Sequence, residues 1–326
     1  MLHDTFGRQH TYLRISLTDR CNLRCLYCMP EDYNSFAPPA QLMQAHEIES
    51  IAKTFVSLGV TKIRLTGGEP LVRKDAAAII DALEALPVEL TFTTNGIRLH
   101  EFLPQMQATN IRSVNISLDT LQKDKFLFIT KRDYFQKVMD NIVLLANLGV
   151  HIKVNVVVMS GINDEEINDF IAWTKYLPVH VRFIEFMPFS GNSWESKKVI
   201  GWQQILDTIE TKYSFIKLKD AEHDTAKKYM VPGFAGTFAV ISTITSPFCS
   251  TCNRMRLTAD GKMKNCLFST GETDLLTALR GGQDIVPLIK ESIFQKAKER
   301  GGQFANAIEA IDAVNMQNRT MIAIGG

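Results

Sequence analysis

The 326-residue sequence carries almost no net charge, with 36 Lys and Arg against 35 Asp and Glu for a formal balance of +1. That near-neutrality removes any global electrostatic reason to bind nucleic acid or an acidic membrane, so neither partner is expected. Long apolar runs are also missing. None approaches the roughly 20 residues of a membrane span, and Ile142 to Ala146 is typical of the longest. The opening Met1-Leu2-His3-Asp4 has neither the basic start nor the apolar core of a secretory signal, and a cytoplasmic location is expected. No solenoid repeat, low-complexity tract or charge run stands out. A phosphate loop of the Gly-x-x-x-x-Gly-Lys type is absent as well, so any bound phosphate must be held by converging side chains. The remaining composition, 45% hydrophobic and 22% charged, is that of a folded chain of one large domain or two ordinary ones.

Cysteine is scarce but organised. The six fall into two triplets, Cys21, Cys25, Cys28 and Cys249, Cys252, Cys266, with none left over. A disulfide framework suits small exported domains, which this is not. Zinc usually takes four ligands at two paired short spacings, and each triplet is one ligand short. An iron–sulfur cubane is commonly held by four thiolates, so three would leave one iron open to a small molecule. Zinc sites or free thiols remain the alternative at this point. Cys21-Asn22-Leu23-Arg24-Cys25-Leu26-Tyr27-Cys28 follows a strand-like segment, lies in a polar loop, and resembles the signature of the radical S-adenosylmethionine superfamily. The resemblance implies a [4Fe–4S] cluster whose open iron chelates S-adenosyl-L-methionine. Its reductive cleavage yields a 5′-deoxyadenosyl radical, with the electron coming from an external one-electron reductant.

Strand-like segments at 12–18, 62–66, 89–94, 113–118, 152–158 and 181–186 alternate with helical patterns near 45–58, 75–86, 99–108, 134–148 and 165–176. Such alternation predicts parallel strands joined by right-handed crossovers. Six units are fewer than the eight of a closed barrel. The expected fold is therefore α/β: a partial, laterally open (β/α)6 TIM-type barrel over residues 1–190. A smaller C-terminal α+β domain, 191–326, would close the opening. In most strands one alternating face is polar. Arg14 and Ser16 oppose Leu13 and Ile15, Arg64 opposes Ile63, Thr93 opposes Phe92, Ser117 opposes Ile116, and Lys153 opposes Val154. An antiparallel sheet with one wet face would alternate in the same way. If helices cover the apolar faces, however, the polar faces point into the barrel and need a polar occupant. Arg14, Arg64 and Lys153 make that occupant anionic.

Thr66-Gly67-Gly68-Glu69-Pro70 follows the second strand. Arg254 and Arg256 share one face of a strand beside the second triplet, and Asp260-Gly261 predicts a hairpin returning Cys266 to Cys249 and Cys252. Together with the two triplets and the closing Gly325-Gly326, these features resemble the GTP 3′,8-cyclases of molybdenum-cofactor biosynthesis along nearly the whole chain. The resemblance implies two [4Fe–4S] clusters, the second presenting its open iron to guanine, and Tyr27, Gly68, Ser117 and Met187 along S-adenosyl-L-methionine. It also implies GTP contacts at Arg14, Arg64, Thr93, Lys153, Arg254 and Arg256. Arg14, Arg254, Arg256, Gly325 and Gly326 would serve catalysis, the diglycine as a tail entering the site. A homodimer and a downstream cyclic pyranopterin monophosphate synthase follow from the same likeness. The rivals are a peptide-modifying enzyme of the superfamily and a zinc-stabilised or iron-sensing binding protein.

Overall fold

The computed structural model describes residues 1–29, 33, 36–109, 111–304, 308–311, 313 and 315–325. Its frame is one mixed α/β sheet. Strands β1 (Tyr12–Ser16), β2 (Lys62–Thr66), β3 (Glu89–Thr94), β4 (Ser113–Ser117), β5 (His151–Val158) and β6 (Val179–Glu185) lie side by side in chain order and parallel. Helices Ala45–Ser57, Ala76–Glu84, Leu103–Ala108, Phe135–Asn147 and Ile167–Trp173 connect them. The first of these shows how the sequence builds the crossovers. Glu47 accepts from the Gln44 backbone N–H in a capping box at 2.7 Å, and Ile48, Ile51, Ala52 and Phe55 form the buried stripe.

The C-terminal strands join the same sheet at both of its ends. After β7 (Ile216–Lys217) and β8 (Lys227–Met230), β9 (Thr237–Ile241) runs parallel to β6. Following it, β10 (Arg254–Leu257) runs parallel to β1, then β11 (Lys262–Lys264) and β12 (Thr273–Asp274) fold back antiparallel. The expected turn at Asp260-Gly261 connects β10 to β11, with Gly261 at φ +71°. The apolar faces of β1 to β5 (Leu13, Ile15, Ile63, Leu65, Phe92, Val114, Ile116, Val154) are fully buried under the helices. That burial is the main stabilising contribution, at roughly 25 cal/mol per Å².

One functional element has no counterpart in the periodicity. Helix Lys123–Thr130 carries Phe126-Leu127-Phe128-Ile129, an apolar run with no helical spacing. The carbonyls of Ile129 and Thr130 accept from Leu26 and Arg24 at 3.0 and 2.9 Å, so this helix fixes the cysteine loop.

Candidate functional site

The polar strand faces converge on a cavity of about 690 Å³, a size suited to a small-molecule ligand. All six cysteines line it, as do Tyr27, Gly68, Ser117, Met187, Arg14, Arg64, Thr93, Lys153, Arg254 and Arg256. Strand register explains the convergence. Arg256, Arg14 and Arg64 are direct neighbours across β10, β1 and β2, and Asn115 neighbours both Thr93 and Lys153 across β3, β4 and β5. The belt of cations is thus closed only when β10, distant in sequence, pairs with β1.

Burial sets the electrostatics. Desolvation and neighbouring guanidiniums draw Arg14 down to about 10 and Arg182 down to about 9. Burial, with Arg182 and Arg64 nearby, takes Lys153 down to about 8. Each shift marks positive charge held at a cost that an incoming anion relieves. Thr93 Oγ1, Asn115 Oδ1 and Arg182 Nε are buried without a hydrogen-bond partner among the described residues. Native interiors rarely leave such groups unpaired, so they mark where a polar ligand belongs. Carboxylates also reach the cavity: Glu69 and Asp119 beside the first triplet, Glu222 and Asp224 on a loop of the C-terminal region.

At the first triplet, Gly67 and Gly68 are dictated by close backbone approach. A Cβ would lie 2.6 Å from the Thr18 carbonyl oxygen at Gly67 and 2.5 Å from that of Arg20 at Gly68. Glu69 then ties the turn to β3: its carboxylate accepts from Leu71 N, Thr94 Oγ1 and Asn95 N at 3.0, 2.8 and 2.6 Å. Asn95 in turn donates to Asn22 Oδ1 at 2.6 Å, within the cysteine loop. Burial pushes the Cys21, Cys25 and Cys28 thiols up, Cys21 to about 11. Tyr27 hydrogen-bonds Asp119.

The second triplet differs. Burial would raise Cys252, but Arg254 and Lys296 outweigh it and bring the thiol down to about 6, while Cys249 stays raised by burial. Lys296 is 3% exposed. It donates to the Arg254 carbonyl at 2.8 Å and lies 3.8 Å from Cys252 Sγ. Arg300 N donates to Cys249 Sγ at 3.4 Å, and Arg8 donates to the Cys249 carbonyl at 2.9 Å. Among the described residues the three thiols of neither triplet stand close enough together to hold a single ion. Three thiols around one cavity, each free to take a separate iron, suit iron–sulfur ligation better than a mononuclear site.

The tail reaches this cavity. The Gly325 carbonyl accepts from Arg256 Nη1 at 2.5 Å, and Gly325 adopts φ +83°. A Cβ there would lie 2.7 Å from Thr66 Oγ1 and 2.8 Å from Ser16 Cβ. Gly325→Ala should therefore unseat the tail. Turnover should fall at least tenfold while iron content stays at the native level; unchanged turnover would show that the seat is dispensable. Gly326 lies outside the described residues.

The cavity also contains residues that the sequence reading missed. Arg182 follows from the alternation of β6, where it opposes Val181 and Phe183, and it donates to Asn155 Oδ1 at 2.6 Å. Tyr12 stands on the polar face of β1 two residues before Arg14. Arg300, and Lys296 just behind the lining, had no local signal, because they reach the triplet from the segment that follows helix Val286–Phe294.

The chain matches the family model described as Radical SAM superfamily over residues 15–174 and the one described as Molybdenum Cofactor Synthesis C over 179–302. It is similar in fold to Streptococcus suis SuiB bound to precursor peptide SuiA, at TM-score 0.62 and 16% identity, covering 94% of this chain and 77% of that one. It is 46% identical over 331 residues to molybdenum cofactor biosynthesis protein 1 of Mus musculus, covering 99% of this chain but 51% of that protein. The chain thus spans about half the length of the first curated relatives it matches. Two shorter relatives are matched over most of their length. The mitochondrial GTP 3′,8-cyclase of Arabidopsis thaliana is 46% identical over 330 residues, covering 100% of this chain and 84% of that protein. The GTP 3′,8-cyclase of Peptoclostridium acidaminophilum is 40% identical over 333 residues, covering 100% of this chain and 98% of that protein. On that identity, sustained over the whole of this chain and nearly the whole of the bacterial relative, the chain belongs to the GTP 3′,8-cyclase family of the radical S-adenosylmethionine superfamily.

Proposed function

We propose that the chain converts GTP to 3′,8-cyclo-7,8-dihydro-GTP, the first step of molybdenum-cofactor biosynthesis. The ribose C3′ hydrogen is abstracted and C3′ is joined to guanine C8. One observation carries the reading: a single cavity holds both cysteine triplets with a belt of buried cations and unpartnered polar groups between them. When bound, two [4Fe–4S] clusters and S-adenosyl-L-methionine supply the electron and the hydrogen-abstracting 5′-deoxyadenosyl radical.

The chain's own residues hold, orient and exclude water. Cys21, Cys25 and Cys28 ligate the first cluster; Cys249, Cys252 and Cys266 ligate the second. Gly68, Ser117, Met187 and Tyr27 line the S-adenosyl-L-methionine end. Arg14, Arg64, Thr93, Lys153 and Arg182 hold the triphosphate and ribose, where a polyanion relieves the mutual repulsion of the buried cations. Arg254 and Arg256 stand beside the second triplet, and Arg256 also holds Gly325; the Gly325-Gly326 tail assists catalysis. The chain divides into a laterally open (β/α)6 barrel, residues 1–190, and a C-terminal α+β domain, 191–326, that closes it. The C-terminal strands extend the barrel's sheet at both edges, β9 beside β6 and β10 beside β1, which supports the closing role rather than a separate sheet. No helix among the described residues is long and apolar enough to cross a membrane. The rest of the reading is a cytoplasmic homodimer that takes its electrons from an external reductant. It passes its product to a cyclic pyranopterin monophosphate synthase.

The test is an anaerobic incubation of the iron-reconstituted protein with dithionite and S-adenosyl-L-methionine, with and without GTP. GTP-dependent formation of both 5′-deoxyadenosine and an isomer of GTP is expected. Deoxyadenosine with GTP untouched would overturn the substrate, and neither product despite full clusters would overturn the enzyme.

A further inference from the structure

The roles above make no use of Tyr12, which stands among the cations of the cavity. On β1 it lies between Arg254 of β10 and Lys62 of β2. Its phenolic oxygen accepts from Arg64 Nε. Lys62 Nζ lies 5.6 Å and Arg64 Cζ 5.9 Å from the ring centroid. The charged groups around it are Arg14 on its own strand, Lys62 and Arg64 on β2, Arg182 on β6, and Arg254 and Arg256 on β10. The nearest carboxylate in this register, Glu89 of β3, is committed to Lys62 at 2.6 Å and is 59% exposed. Arg14 hydrogen-bonds the same side chain, so an oxygen acceptor occupies guanidiniums that a triphosphate would need.

We propose that Tyr12 is the site's own counter-charge: its phenolic oxygen holds Arg64 until nucleotide arrives, then yields the guanidinium to the triphosphate and takes up a proton. The inference rests on the GTP reading above. Its chemistry follows from the surroundings. Burial would raise the phenol, but Arg64 and Arg14, with Lys62, outweigh it and draw Tyr12 down to about 7. Near neutral pH the side chain is therefore partly phenolate, and it is the one tyrosine among the described residues drawn in that direction. A polyanion on the same guanidiniums repels the phenolate. The phenolate oxygen accepts one proton from solvent, the triphosphate oxygens take over the N–H donors, and no electrons move.

Linkage fixes the sign. If binding is coupled to uptake of one proton, affinity falls by up to about tenfold per pH unit above about pH 7. Lys153, drawn down to about 8, takes up a proton in the same way, so the comparison must be between the native protein and Tyr12→Phe. Phenylalanine keeps the ring and removes only the oxygen.

The experiment is isothermal titration calorimetry of the full-length, cluster-reconstituted protein. GTP and inorganic tripolyphosphate serve as separate probes, in two buffers of different ionisation heat between about pH 7 and pH 9. Tyrosinate absorbance is followed in parallel. The native protein should take up more protons than Tyr12→Phe, by up to one per site. Its affinity should fall more steeply with pH, and its tyrosinate band should bleach on binding. Equal proton uptake and equal slopes would overturn the inference and leave the GTP reading standing, as would a Tyr12→Phe effect of the same size at every pH. Failure of both probes to bind either protein at any pH would overturn the GTP reading, and this inference with it.

Discussion

Replacing Cys21, Cys25 or Cys28 with alanine should abolish formation of 5′-deoxyadenosine, to the level of the protein-free control. Each thiolate of a cubane ligates a separate iron, so loss of one removes a corner rather than weakening a shared bond. The effect should be selective, because the two triplets are held by different scaffolding. The first sits in a loop pinned by helix Lys123–Thr130 and by the Glu69–Asn95–Asn22 chain of hydrogen bonds. The second is held by Arg8, Lys296 and Arg300, from the two ends of the chain. Iron should therefore drop from about eight to about four per chain, with the second cluster's spectrum retained. Cofactor cleavage surviving in Cys25→Ala would remove the first triplet from the chemistry. Complete loss of iron would mean that the triplets do not assemble independently.

Arg256→Ala should lower kcat/KM for GTP by about 100- to 1,000-fold, the effect of about 3–4 kcal/mol of lost transition-state stabilisation. Two contacts go at once. Arg256 lies in register with Arg14, inside the cation belt, and its Nη1 holds the Gly325 carbonyl at 2.5 Å. Lysine should restore little, since a single ammonium cannot reproduce a planar fork that engages substrate and tail together. Because Arg256 is not a ligand, the iron content and the optical spectra of both clusters should be unchanged. Equal loss of iron and turnover would assign Arg256 to the structure of the second cluster's pocket, and a loss of less than threefold would remove it from the site.

The two predictions rest on features of unequal legibility. The cysteine triplets, the alternating polar faces and the Arg254-Met255-Arg256 strand are local patterns, and local patterns survive in a sequence read without its fold. Alternation placed Arg14, Arg64, Thr93, Ser117 and Lys153 on lumenal faces, and the cavity contains all five. It should also have placed Arg182, whose strand was recognised while its face was not read. What no window of sequence contains is the closure of the belt. Arg256 meets Arg14 because β10 pairs with β1 across more than two hundred residues of chain, and that pairing is a product of the whole sheet. Lys296 and Arg300 were hidden for the same reason. Their neighbours in the chain show no strand or helix period, and only tertiary contact brings them to Cys252 and Cys249. Helix Lys123–Thr130 was missed for a different reason, since a continuous apolar run carries no period to detect. Ionisation is the least legible property. Tyr12 departs from an ordinary phenol because cations from several strands surround it, Arg64, Arg14 and Lys62 foremost, a fact of packing rather than of composition.

The central claim is that the cavity presents the ribose of GTP to the radical generated at the first triplet. The most direct measurement uses GTP deuterated at C3′, incubated anaerobically with the reconstituted protein, S-adenosyl-L-methionine and dithionite, followed by mass spectrometry of the nucleoside product. The expected result is 5′-deoxyadenosine carrying one deuterium. Unlabelled 5′-deoxyadenosine, formed in the same GTP-dependent amount, would show that hydrogen is taken from another position and would contradict the placement of the substrate.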